Sequence, residues 1–188
     1  MKLTRRGVMW ATVAAGPTLL FGSKQVFAMS EAAQIDQDAH AALNRLHATD
    51  HRAAELGRKA VGVLVFPKIV KAGFIFGGQG GKGVLKAKGR TQRYYTIAAA
   101  SFGLQAGVQW FSYALFFKDE AALKYLDKSD GWSLGADPNV VVIDKGAGAQ
   151  MDSTTLSKEV VAIPFGQEGL MAGLSLQGSK ITTYHPSS

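Results

Sequence analysis

Residues 94–117 read YYTIAAASFGLQAGVQWFSYALFF, 24 consecutive residues without a charge, bracketed by Arg93 and Lys118. A run of that length is long enough to cross a bilayer as a helix. Its composition argues for something else. Thr96, Ser101, Gln105, Gln109 and Ser112 interrupt the apolar side chains, Gly103 and Gly107 fall near the middle, and aromatic and β-branched residues are frequent. The stretch reads as two buried β-strands, 94–102 and 104–117, with a bend near Gly103.

The texture on either side agrees. Upstream, Val61 to Phe66 is a short apolar run that Pro67 ends. Phe74 to Phe76 and Gly83 to Ala87 flank a glycine cluster and read as two strands joined by a glycine-rich hairpin. Downstream, Trp132–Leu134, Val140–Asp144, Val160–Phe165, Leu170–Gln177 and Ile181–Tyr184 are further strands. Turn residues at Asp130-Gly131, Asp137-Pro138-Asn139 and Gly146-Ala147-Gly148 separate them. Lys118 to Lys128 reads as a short helix.

Residues 31–47 have helical spacing, with Ser30 as N-cap and Ile35, Ala39, Ala42 and Leu46 on one stripe. Thr49 or Asp50 can cap a second helix ending near Gly57. The expected fold class is α+β: N-terminal helices, then a mostly antiparallel sheet that could curl toward a barrel, with one short inserted helix.

Residues 1–28 have the parts of an export signal. Lys2, Arg5 and Arg6 precede an uncharged stretch, and Val26-Phe27-Ala28 fits a cleavage site. Thr4-Arg5-Arg6-Gly7-Val8-Met9 follows a twin-arginine pattern. The expected organisation is a signal over 1–28 and a single domain over 29–188, in a protein exported to the periplasm and peripheral on a membrane. The chain has no cysteine, which excludes disulfides, thiolate metal sites and thiol nucleophiles.

Charge is segregated. The whole chain carries +7, and residues 29–188 hold 17 basic against 14 acidic residues. Arg58, Lys59, Lys68, Lys71, Lys82, Lys86, Lys88, Arg90 and Arg93 fall within 36 residues, 58–93, that contain no acid. Such a band suits an anionic partner, and export favours a phospholipid surface over nucleic acid.

No catalytic constellation stands out. Gly78 to Gly83 contains GxGxxG, but a strand-like segment follows where a dinucleotide site needs a helix start. His47 and His51 are four apart, but a helix break at Thr49-Asp50 separates them and a third ligand is lacking. Ser101 has no oriented partners for a nucleophile elbow. No cofactor or metal is expected, and no enzyme activity.

Three blocks resemble the SYLF, or Ysc84-like, domain family: Val65-Phe66-Pro67-Lys68-Ile69-Val70-Lys71-Ala72-Gly73-Phe74, Ala98 to Gly107, and Phe165 to Leu174, with Gly178-Ser179-Lys180-Ile181 closing the last. The resemblance covers about residues 50–184. It implies a non-catalytic domain that binds anionic lipid, and in eukaryotic members also actin, which an exported protein does not meet. The expectation is adsorption to anionic phospholipid through the 58–93 band, the glycine-rich turn adding backbone donors. The alternatives are a carrier of a small apolar ligand inside the β-domain and an envelope protein-interaction module.

Overall fold

The computed structural model describes residues 29–73, 76–102, 107–128, 131–134, 137–143, 158–169 and 178–187. The expected signal over 1–28 and the expected strand over Leu170–Gln177 lie outside them.

Ser30 opens helix α1 (Glu31–Thr49), its hydroxyl accepting from the Ala33 amide at 3.3 Å. Asp50 ends α1 and caps α2 (His51–Lys59), accepting from the Arg52 amide at 3.0 Å. The break puts His47 and His51 on different helices. The stripe read from the sequence is the buried one: Ile35, Ala39, Ala42 and Leu46 all face the sheet.

The strands are β1 (Gly62–Gly73), β2 (Phe76–Ala87), β3 (Arg90–Phe102) and β4 (Gly107–Phe117). Helix α3 (Glu120–Leu123), capped by Asp119, and a 3-10 turn (Lys124–Asp127) follow. Then come β5 (Trp132–Ser133), β6 (Val140–Val142), β7 (Val160–Gly169) and β8 (Lys180–Tyr184). They form one curled sheet in the order β5-β8-β3-β2-β1-β4-β7-β6. Among the described pairings only β6–β7 is parallel. The architecture is the α+β one that the patterning implies. The 94–117 run is two antiparallel strands, β3 and β4, and no described helix is long and apolar enough to cross a membrane.

Both faces of the sheet are packed. Helices α1 and α2 cover Val63, Val65, Val84, Ala114, Phe116 and Ile163 on one face. On the other, Leu64, Phe66, Ile69, Tyr95, Leu115 and Phe117 pack against Ala122, Leu126 and Trp132. Each fully buried large apolar side chain contributes about 1.5–3 kcal/mol.

Two expectations need correction. Pro67 does not end β1. It sits in a β-bulge, where the register slips between Val65 and Lys68 against β2 and between Phe66 and Ile69 against β4. Proline lacks the amide that a regular central position would donate, and a bulge releases that requirement. Nor is the glycine cluster a turn. Gly77, Gly78, Gly80, Gly81 and Gly83 all lie inside β2, paired with β1 and β3 except Gly83, whose partner is on β3. The chain needs glycine there for close approach. A Cβ on Gly81 would lie 2.5 Å from the Lys68 carbonyl oxygen, and one on Gly83 would lie 2.5 Å from the Phe66 ring. The tight turn is at Lys88-Gly89, both at positive φ (51° and 72°), a two-residue hairpin geometry.

Candidate functional site

The nine basic residues of the 58–93 band do not gather on one face. Arg58 and Lys59 are exposed in the last turn of α2, where they complement the helix dipole. Lys88 and Arg90 are exposed at the β2–β3 turn. Arg93 reaches Asp127 at 2.7 Å on the side of the sheet away from α1. There Lys88, Arg93 and Lys124 line a cleft of about 500 Å³ together with Glu120 and Asp127, so its charge is mixed. Lys71 is also on that side, in register between Gln79 and Gln109.

Lys68, Lys82 and Lys86 share the helix-bearing face, and two of the three are neutralised by α1. Lys82 pairs with Glu31 and lies 4.7 Å from the Tyr184 ring centroid. Glu31 also accepts from the Tyr184 hydroxyl at 2.8 Å and from the Ser187 amide at 3.0 Å. The Lys82 ammonium above all, then these donors, hold its carboxyl down to about 2. Lys86 meets Asp36 at 2.8 Å, and Thr91 and Tyr94 donate to the same carboxylate at 2.6 and 2.8 Å. Burial opposes ionisation of Asp36, yet the three donors keep its pKa below the ordinary 3.8. Burial and the bond to Asp36 push Tyr94 up to about 12.

Lys68 is different. It projects over Trp110, 5.6 Å from the ring centroid, and makes no ion pair among the described residues. With Arg45 of α1, also outside every described ion pair, it lines a cleft of about 390 Å³. Pro67, Trp110, Phe111, Ser112 and Gly166 complete the walls, and among the described residues no carboxylate lines it. Two bulges on either side of β4 open this cleft. On β1 the Pro67 carbonyl leaves the ladder and accepts from the Ser112 hydroxyl at 2.7 Å. On β7 the register shifts at Gly166, whose φ of +61° favours glycine. One ammonium and one guanidinium group beside an aromatic face and a hydroxyl can hold an oxyanion and the apolar body attached to it.

Beyond the cleft no described element covers the helix-bearing face. Across β3, β2, β1 and β4 the register sets Ala98, Gly80, Val70 and Trp110 in one row, and Ala100, Gly78, Ala72 and Val108 in the next. All are exposed except half-buried Val70. Trp110 retains 39% of its surface and Val108 46%. The expectation that 94–117 is buried throughout therefore fails at this end. The charge count could not find Arg45, which lies outside the band. Trp110 was hidden inside the apolar run, although alternation along Val108, Trp110 and Ser112 marks one face of a strand.

Comparison with known proteins adds an independent observation. Residues 98–187 match the model of a family described as Ysc84, Las17-binding protein actin regulator. Over 126 residues, 64% of this chain, the sequence is 29% identical to the SH3 domain-containing YSC84-like protein 1 of Xenopus laevis. The match spans 37% of that relative's length.

Proposed function

We propose that this chain, whose residues 98–187 match the model of the Ysc84 family of binding domains, takes as its target the anionic phospholipid of a membrane surface. The observation that carries this reading is the cleft between α1 and β4. Arg45 and Lys68 face an open space with Trp110 at its edge, and no described carboxylate competes for them. In this reading the two cations hold a headgroup phosphate while the glycerol body lies against the indole.

Of the nine residues in the basic band, Lys68 is the one we place at this contact. Lys82 and Lys86 serve the α1–sheet junction instead. A cation near an anionic bilayer contributes about 1 kcal/mol, so Arg45 and Lys68 together supply about 2 kcal/mol. That gives weak, salt-sensitive adsorption. The export-type start over residues 1–28 supports a periplasmic setting, where bacterial anionic lipid is the available partner.

Cosedimentation with phosphatidylglycerol vesicles against phosphatidylcholine vesicles tests the reading. The expected result is binding to the former alone, lost in the Arg45→Gln/Lys68→Gln double variant and kept in Lys88→Gln/Arg90→Gln. Equal binding to both vesicles, or binding untouched by the Arg45/Lys68 change, overturns it. Actin, which the family's description names, is the competing target, and pelleting with actin filaments separates the two.

A further inference from the structure

Two cations make a thin anchor, and beside them the fold leaves uncovered a surface that soluble proteins ordinarily bury. The rows Ala98-Gly80-Val70-Trp110 and Ala100-Gly78-Ala72-Val108 form an apron that is level because its middle strands carry only alanine, glycine and Val70. Its larger side chains, Val108 and Trp110, stand together on β4, 46% and 39% exposed. Lys68 borders it on the cleft side, and exposed Lys180, the register partner of Ala98, borders it on β8. The register also sets Glu168 of β7 opposite Trp110.

We infer that this apron lies flat on the membrane, with Val108 and Trp110 entering the headgroup–acyl boundary of an anionic bilayer and Lys68 and Lys180 at its edge. The inference rests on the lipid reading above and names the contact geometry. Two features favour a bilayer. Tryptophan partitions to the membrane interface, where its ring is shielded and its N–H stays wet. The apron is continuous with the Arg45–Lys68 cleft, so one orientation brings both to the same plane.

The chain has no cysteine, so Val108→Cys in the full chain gives a single attachment point for an environment-sensitive fluorophore. Glu55→Cys, exposed on α2, is the control. Phosphatidylglycerol vesicles should brighten and blue-shift the label at 108 and leave the label at 55 unchanged. Vesicle binding without a shift at 108 overturns this inference and leaves the lipid reading standing. Absence of binding by the unlabelled chain removes both. A label at 108 already blue-shifted without lipid, in a particle of doubled mass, assigns the apron to a second copy and overturns the proposal. Val108→Asp should weaken vesicle affinity on the order of tenfold, the size expected for one buried valine. Its circular dichroism should match that of the parent chain.

Discussion

Lys68 and Lys82 are register partners across the β1–β2 ladder, side by side on the helix-bearing face, and their charges meet different fates. Like charges directly opposite each other on a sheet are destabilising. Glu31 resolves the conflict by taking Lys82 into a cluster with Tyr184 and Ser187, leaving Lys68 to lie over Trp110. The acidic N-terminal turn of α1 thereby decides which lysine is available to a ligand.

This cluster gives stability a defined acid response. The Glu31 carboxyl has a folded value of about 2 against an ordinary 4.5. Its contribution is fully present above the ordinary value and is lost as pH falls through the folded one, because the unfolded chain takes up the proton first. Urea midpoints measured between those two values should fall with pH in the parent chain. In Glu31→Gln this part of the slope should be missing, with a lower midpoint at neutral pH.

The glycines of β2 should divide into two classes. Gly81→Ala and Gly83→Ala each place a methyl 2.5 Å from the Lys68 carbonyl oxygen or the Phe66 ring and should cost about 1–3 kcal/mol in urea unfolding. Gly78→Ala and Gly80→Ala meet nothing closer than a carbonyl oxygen at 3.6 Å and should be neutral or mildly stabilising. Equal losses at all four positions would mean that close strand approach is not what selects glycine here.

Ser112→Ala removes the donor that satisfies the Pro67 carbonyl and should lower stability by about 1 kcal/mol. Because the same hydroxyl lines the cleft, phosphatidylglycerol binding should fall more in Ser112→Ala than in a remote variant of equal stability loss.

His47 offers a second titration. Its Nε2 is buried without a hydrogen-bond partner among the described residues, close against Gly57. Burial, and then the Arg58 charge, lower its pKa below the ordinary 6.5. Stability is then complete above 6.5 and declines as pH drops through the folded value. An NMR titration of the imidazole should show a midpoint below the free value, and His47→Gln should flatten the stability profile in this range.

Much of the fold was legible because it rests on short-range chemistry. The Ser30 cap, the Ile35–Ala39–Ala42–Leu46 stripe and the polar interruptions in 94–117 each act within a few residues. What escaped the reading depends on partners far along the chain. Glycines 77 to 83 look like a turn until Phe66 and the Lys68 carbonyl are seen against them. The basic band looks like one surface until Glu31, Asp36 and Asp127 claim three of its members. Arg45 and Trp110 are 65 positions apart, and only the packing of α1 across the β1–β4 ladder brings them to one cleft.

The irregularity at Pro67 reaches beyond local shape. Along a strand successive side chains alternate between the two sides, and an unpaired extra residue reverses the alternation for everything after it. Phe66 and Ile69, three positions apart, both enter the same core, and Lys68 emerges on the other side. Were β1 to run straight past 67, an ammonium group would be driven into oil and an isoleucine put out into water. One supernumerary peptide unit thus sorts the second half of the strand into its wet and dry halves.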